Sequence, residues 1–414
     1  MAAVTAPTTD AFARAAAVAA LWPDTEQWLP AAALPALAGA AEEADRSGRL
    51  ATASLERLRA EGFVGMPVPR ELGGGGAGLL ASAAAQRCLA TTDPALAIAL
   101  NMHLFSVGTA VEHWRRHRDA CGLLLEAIAT QGRVVASAFA EPGLAGTILR
   151  SRCRAVATSG GHLVSGVKTP CSLAAHCDLV CLQIEAAPPA PPTLMTAVIP
   201  ASADGVRVER TWDALGMRGS GSDTLVLDGC FVPDELVFHR CAPGSVPDEV
   251  LAAGLVWFCV TTTATYLGVV HAALDAAGTA LRRSPVSYLD CVRADLATVQ
   301  AQLGNAVAAP LALEAGCVGV ASRLDSGTCD ARSLLPIAVA LKQAAVDACT
   351  DAVETWAELV GGASYAAPSA LARLWRDVQA LRFHPPTRPA SSAILGRWAL
   401  DQPFALEPDG PRGT

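Results

Sequence analysis

Apolar residues recur three and four positions apart from about Ala31 to Arg133, with few β-branched runs, and that period predicts a helical first region. SLERLRAEGF (54–63) is its clearest amphipathic piece, closed by Gly62. MPVPRELGGGGAGLL (66–80) is predicted to be a loop, because two prolines and four consecutive glycines cannot occupy a helix interior. Thr91, Thr92, Asp93 and Pro94 then supply a cap and a first-turn proline for a new helix. From about Val134 to Arg240 the pattern shortens to runs such as VVASAFA, HLVSGV, LVCLQI, LMTAVIP and TLVLDGCFVP, separated by Gly, Asp, Ser and Pro, which predicts an antiparallel β domain. EAAPPAPP (185–192) reads as a Pro-rich surface turn between two of the strands. From about Asp248 to Leu400 the helical period returns in four segments near 249–281, 288–323, 331–360 and 366–382, and four antiparallel helices of that length make a bundle. The expected fold is mainly α with a central β domain, divided into 1–133, 134–245 and 246–414.

Residues 250–274 and 94–111 contain no Asp, Glu, Lys or Arg, and either is long enough to span a bilayer. The first carries four Thr and a His, the second a Pro, an Asn and a His, and neither has basic flanks on one side. Helices buried inside a large helical domain are therefore expected in place of membrane spans. With 52% hydrophobic and 17% charged residues the chain can bury a large core, which excludes intrinsic disorder. The 31 Lys+Arg against 39 Asp+Glu leave a formal charge of −8, so no nucleic-acid partner is expected. Among the basic residues only Lys168 and Lys342 are lysines.

Thirteen cysteines occur with no C-x-x-C spacing, and Cys171, Cys177 and Cys181 are too irregularly spaced for a zinc knuckle. The expectation is reduced, mostly buried thiols in a cytoplasmic protein, with no metal. Met1 to Trp22 lack a basic n-region and carry Asp10 before any apolar run, which argues against a secretory signal. Gly73, Gly75 and Gly78 satisfy G-x-G-x-x-G, but PVPRE is no hydrophobic strand and no βαβ unit follows, so a dinucleotide fingerprint is rejected on context.

Five segments, in order, resemble the acyl-CoA dehydrogenase superfamily. They are PVPRELGGGGAG (67–78), AFAEPG (138–143), GVKTPCSLAAHCDLV (166–180), LGMRGSGSDTLVLDGCFVP (215–233), and VGGASY with LARLWRD (360–365 and 371–377). The resemblance implies an N-terminal helical domain, a β-barrel-like middle domain and a C-terminal four-helix bundle. It also implies FAD bound between the last two, with help from a second subunit of a homodimer or homotetramer. By the same resemblance the cofactor-binding positions are Phe139, Ala140, Pro170, Ser172 and Thr387, with Arg283, Glu358, Gly361 and Gly362 in the half-site for a partner's FAD. His103, Trp257 and Phe258 fall where the family lines its substrate pocket, although a lone His on an apolar helix is more often a satisfied core residue. His113 and His117, in VEHWRRHRD, read as a solvated face.

Departures from the family pattern carry the functional expectation. The family's reaction needs a carboxylate to take an α-proton and donors to the thioester carbonyl. Counting from Arg376 and Asp377, Pro385 stands where the glutamate base would, and proline offers neither carboxylate nor N–H. The alternative position for that base, on the helix opening the bundle, is Phe258. His384 becomes the candidate catalytic residue, as in flavin monooxygenases of this fold that the sequence resembles. Its competing role is a cap on the preceding helix. Ala140, Pro170 and Glu358 each replace a usual flavin-binding residue, which implies weakly bound FAD or reduced flavin supplied by a reductase.

Three readings stay open: an atypical oxidase or monooxygenase of a specialised-metabolism intermediate; a desaturase of a thioester on CoA or a carrier protein, with His384 as base; and a flavin-free descendant.

Overall fold

The computed structural model describes residues 17–144, 146–244 and 247–402. Helices α1 (Leu34–Ser47), α2 (Thr52–Ala60), α3 (Leu79–Ala90), α4 (Pro94–His117) and α5 (Cys121–Gln131) form the first region. The capped start expected at Asp93 is present: its Oδ1 accepts from Leu96 N at 3.0 Å, with Pro94 in the first turn. Between α2 and α3 the glycine run folds back tightly. A Cβ on Gly74 would meet the Val68 carbonyl oxygen at 2.1 Å, so only glycine fits there.

Ten strands follow in chain order: β1 (Val135–Ala138), β2 (Arg154–Thr158), β3 (Gly161–Cys171), β4 (Leu179–Ala186), β5 (Leu194–Pro200), β6 (Val206–Glu209), β7 (Asp223–Pro233), β8 (Val237–Cys241), and the short hairpin of β9 (Pro285–Val286) and β10 (Cys291–Val292). The main sheet runs β6-β7-β3-β2-β4-β5-β8, with β1 beside β4. It is not wholly antiparallel. β1 pairs parallel with Leu179–Leu182 of β4, and β2 pairs parallel with Glu185 and Ala186 of the same strand. β1 and β2 are thus two halves of one strand position, interrupted by an excursion over 139–153.

The bundle contains α6 (Glu249–Arg282), α7 (Ala297–Asp325), α8 (Ala331–Val360), α9 (Gly362–Tyr365), α10 (Ala370–Val378) and α11 (Arg388–Ala399). Two of its expected helices are shorter than their periodicity suggests. The second starts at Ala297 because β9 and β10 take up 285–292. The fourth is α10 followed by a 3-10 turn, Gln379–Phe383, held between Pro368 and the Pro385–Pro386 pair.

Four helices are long and apolar enough to cross a membrane by length and composition, but the apolar window of α4 is 94% buried and that of α6 is 100% buried. α6 solves its polar problem internally: Thr261, Thr263 and Thr265 donate to carbonyls one turn back at 2.7–2.8 Å, and Thr262 accepts from Asn101. Glu314 of α7, wholly buried, draws four elements together by accepting from Arg87, His271 and Trp22. All thirteen cysteines are free thiols, as the sequence suggests.

The tightest helix crossing is testable. A Cβ at Gly268 of α6 would sit 2.2 Å from the Arg87 carbonyl of α3, so Gly268→Ala is expected to destabilise by about 1–3 kcal/mol. Gly304→Ala on α7, with nothing within 4 Å, is expected to be neutral or stabilising by about 0.5–1 kcal/mol. Urea unfolding of the two variants checks the pair.

Candidate functional site

The 139–153 excursion forms one wall of a cavity of about 370 Å³ between the sheet and the bundle. Its ends are tied by Glu141, whose carboxylate accepts from Ser151 Oγ and Arg152 N, both at 2.6 Å, and from the buried Lys168 ammonium of β3. Lys168 also donates to Gln183 O. Glu141 lines the cavity and is its only carboxylate among the described residues. With both oxygens engaged by donors, it is a structural staple and not a free base.

The opposite wall comes from the bundle. Phe258 stacks edge-on against Phe105, ring centroids 5.5 Å apart, and against His384 at 6.4 Å. His384 is half-buried on the cavity wall, just after the 3-10 turn Gln379–Phe383. Its Nε2 lies 2.8 Å from the phenol of Tyr266 on α6. Tyr266 is fully buried and makes no other side-chain hydrogen bond among the described residues, so donation from its O–H to that nitrogen is the arrangement that leaves no buried hydrogen unpaired. Burial raises the Tyr266 pKa well above its usual value, which keeps the phenol protonated. This assigns the imidazole tautomer: Nε2 accepts and Nδ1 carries the hydrogen.

Burial, and then the charge of Lys342, push the His384 pKa down to about 3. His384 is therefore neutral throughout the ordinary pH range and presents a donor. Of the roles the sequence leaves open to His384, this arrangement favours a hydrogen-bond donor over a proton-accepting base, because one nitrogen is engaged by Tyr266 and burial keeps the ring neutral. The loop that carries His384 is clamped from below by Lys342 of α8, whose ammonium donates to the carbonyls of Leu381 at 3.3 Å, His384 at 2.5 Å and Pro386 at 3.0 Å. Burial lowers the Lys342 pKa to about 8. A compact ammonium has three donors, and here each meets one carbonyl.

A third anchor joins the bundle to the β region. Asp377 accepts from Met217 N at 2.6 Å, and burial raises its pKa to about 7. Arg376 pairs with Asp45 of α1. Met217 in turn receives the Trp212 indole N–H on its carbonyl, which sets that ring at the cavity edge.

Of the residues expected from sequence, His384, Phe139, Ala140, Pro170, Ser172, Phe258 and Thr387 all line this cavity. His103 does not. It is wholly buried, with Nε2 2.8 Å from Val64 O and Nδ1 accepting from Val135 N, and burial lowers its pKa to about 4. It locks α4 to β1 and is no pocket residue. Trp257 is also buried away from the cavity, packed on Gly108, where a Cβ would meet its ring at 2.5 Å. Arg283, Glu358 and Gly362 are exposed and Gly361 half-buried, at the ends of α6 and α8 and away from the cavity.

Sequence reading missed Tyr266, Lys342 and the Ser220–Ser222 pair. Lys342 carried a usable signal, being one of two lysines in a chain that otherwise uses arginine.

The wall suits a flavin ring. Ser172 Oγ and Ser222 Oγ are 2.8 Å apart and Ser222 and Ser220 Oγ 2.7 Å, a chain of hydroxyls each able to donate or accept. A heterocycle edge that alternates N–H and C=O needs that versatility, and its flat apolar body needs faces such as Phe105, Phe139 and Phe258. Ser172, Ser222, the main chain at Phe139 and Ala140, and Trp212 are the residues that would hold it.

Comparison with known proteins agrees with the layout. The family model described as acyl-CoA dehydrogenase, N-terminal domain, matches residues 31–115, and that for the C-terminal domain matches 260–389. The chain is similar to the amino sugar nitrososynthase DnmZ of Streptomyces peucetius, 34% identical over 85% of this chain and 87% of that protein. It is similar to isobutylamine N-hydroxylase of Streptomyces viridifaciens, 29% identical over 90% of this chain and 96% of the relative. Among solved structures it resembles KijD3 in complex with FMN and dTDP-3-amino-2,3,6-trideoxy-4-keto-3-methyl-D-glucose, with a TM-score of 0.81, 29% identity and coverage of 96% and 95%.

The Lys342 clamp generates a prediction. Lys342→Met removes three charge-assisted hydrogen bonds, each contributing about 1.5–3 kcal/mol. Amide exchange across 379–387 is expected to rise while that of α4 stays unchanged. The pH sign also follows. The folded amine titrates near 8, below the 10.5 of an ordinary lysine, so between those values the unfolded chain binds the proton that the folded chain has lost. Urea unfolding is therefore expected to show wild-type stability gaining on Lys342→Met as pH rises through that window.

Proposed function

The chain belongs to the acyl-CoA dehydrogenase family, and from that premise we propose that it is a flavin-dependent monooxygenase oxygenating the nitrogen of a primary amine in specialised metabolism. The class is supported by its relatives, which are flavin-dependent oxidising enzymes of this fold. Two of the similar proteins, by their names, act on an amino group: an amino sugar nitrososynthase and an isobutylamine N-hydroxylase.

One observation carries the reading: the cavity holds a neutral imidazole donor and no free carboxylate among the described residues. Abstraction of an α-proton from a thioester has no base to perform it, since Pro385 replaces the family glutamate and Glu141 is occupied by Lys168 and Ser151. What bound reduced flavin supplies is two electrons for dioxygen, with one oxygen atom delivered to a nucleophilic heteroatom and the other leaving as water. The side chains of this protein do the rest. Phe105, Phe139 and Phe258 exclude bulk water. His384 Nδ1–H would donate a hydrogen bond to an oxygen atom bound in the cavity, from a ring that Tyr266 and Lys342 hold still.

FMN is the flavin we favour over the FAD suggested by sequence. The support is that the similar KijD3 structure contains FMN. A diffusible flavin reduced by a partner reductase fits this, as does a cytoplasmic location. A homodimer or homotetramer is supported by α7, whose apolar window is only 22% buried in the single chain.

The substrate's far end has a berth too. Beyond Trp212 lies a second, polar cavity of about 390 Å³ lined by Arg49, Arg210 and His176 and by Asp223, whose Oδ1 is engaged by Thr211 N and Trp212 N. Neither guanidinium has an ion-pair partner among the described residues. Such a pair of forks suits a diphosphate, so a nucleotide-linked amine is favoured over a simple alkylamine.

Two outcomes are expected. His384→Ala, assayed with FMN, a reductase and an amine substrate, should lower product formation by about 10²-fold or more while oxygen is still consumed and released as hydrogen peroxide. Unchanged coupling would return His384 to a packing role. Arg210→Ala should raise KM for a nucleotide-linked amine about tenfold and leave KM for isobutylamine unaltered. Equal effects on both substrates would remove the anion berth from the reading.

A further inference from the structure

Three side chains of metal-binding type converge where β8 ends and α6 begins, well outside the flavin cavity. His239 and Cys241 lie two residues apart on β8, opposite Thr196 and Leu194 of β5, and so project to one face of the strand. Asp248 is the N-cap of α6. The ligand atoms of all three lie within 4.8 Å of one another. Asp248 is already oriented, because its Oδ1 accepts from Leu251 N at 3.0 Å, which leaves Oδ2 for the cluster.

The second observation comes from the imidazole. His239 is 8% exposed, and its Nε2 is 2.7 Å from Asp248 Oδ2 without the alignment of a hydrogen bond. This buried nitrogen is thus partnered only by the Asp248 carboxylate among the described residues. The contact is that of an ion pair, so a ring nitrogen and a carboxylate oxygen are already held face to face, and a metal ion can bridge the same two atoms. Behind it stands His113, 5% exposed, with ring centroid 5.7 Å from that of His239 and Nε2 held by Asp119 at 2.8 Å. The solvated face expected for His113 is thus corrected: it packs against Phe238 and His239.

We propose that His239, Cys241 and Asp248 bind one divalent transition-metal ion of the zinc type, with water in the fourth position. A mixed nitrogen, sulfur and oxygen set suits tetrahedral Zn²⁺, whereas Mg²⁺ and Ca²⁺ select oxygen ligands. Bonds of about 2.0–2.3 Å place tetrahedral ligands about 3.5 Å apart, so the trio closes by side-chain rotation of roughly an ångström. Cys241 and Asp248 are half-buried, which leaves the fourth position open outward. The ion ties the last strand of the sheet to the helix that carries Phe258 and Tyr266. Sequence reading passed over this set because the carboxylate lies on another element, beyond the reach of a short spacing rule.

The test uses the full-length chain, free of any histidine tag and stripped with a chelator, titrated with Co²⁺ and then Zn²⁺. Expected is one Co²⁺ per chain, with the strong near-ultraviolet absorption of thiolate bound to cobalt, displaced by Zn²⁺. Cys241→Ser should lose that absorption, and His239→Ala should weaken Zn²⁺ binding by about 100-fold or more, each with an unchanged far-ultraviolet dichroism spectrum. Should His239→Ala fail to fold, Cys241→Ser carries the test. Absence of the thiolate absorption at stoichiometric cobalt, or its persistence in Cys241→Ser, would overturn the proposal.

Discussion

The complete burial of α6 is the constraint from which the remaining architecture follows. Its apolar window is buried on every face, so the helix must be wrapped by α3, α4, α8 and α10 at once. Burial on this scale is the main favourable term in folding, but it makes every unpaired polar group along the helix costly, and among its buried side chains only the Trp257 indole N–H is left without a partner among the described residues. The threonines meet that demand by bonding to their own backbone one turn back, and Asn101 of α4 meets the remaining hydroxyl. The same helix delivers Phe258 to the cavity wall and Tyr266 to the imidazole there, so the dry core and the chemical site share one rigid element.

Charge is scarce in this interior and is used for joinery. Both lysines of the chain are wholly buried. Lys168 pulls Glu141 and the interrupted strand together, while Lys342 gathers three carbonyls beneath His384. Lys168 meets a carboxylate, whereas Lys342 meets only neutral carbonyls, which leave part of its desolvation uncompensated and its pKa lowered to about 8. Glu314 plays the reciprocal part in the bundle, with Arg87, His271 and Trp22 around one carboxylate.

The chemistry of the site follows from what these clamps hold. In an ordinary acyl-CoA dehydrogenase the loop after the R-D helix supplies a carboxylate. Here the same loop is fixed so that a neutral imidazole faces an aromatic cavity, with its other nitrogen bound to a buried phenol. A proton acceptor has become a hydrogen-bond donor without any change in the fold. Substituting the general base converts an α-proton abstraction site into one suited to sheltering reduced oxygen, in keeping with the oxidising enzymes that the chain resembles.

The sequence by itself determined the architecture, because hydrophobic period and turn chemistry are local. The helical, β and helical order, the Asp93 cap, the two buried apolar helices and the family motifs were all legible in it. It also placed His384, Ser172, Phe139 and Phe258 at one cavity, since family register fixes which loop meets which wall. The tautomer and charge of His384 were not legible, for they depend on Tyr266 and Lys342, which lie 118 and 42 residues away in the chain. His103 proved the satisfied core residue that a lone histidine on an apolar helix suggests, whereas His113 was misjudged: an imidazole's role is set by the atoms its two nitrogens meet, and those are supplied by packing between distant elements. Only the tertiary structure decides that, because local pattern records which face is buried but not what is buried against it.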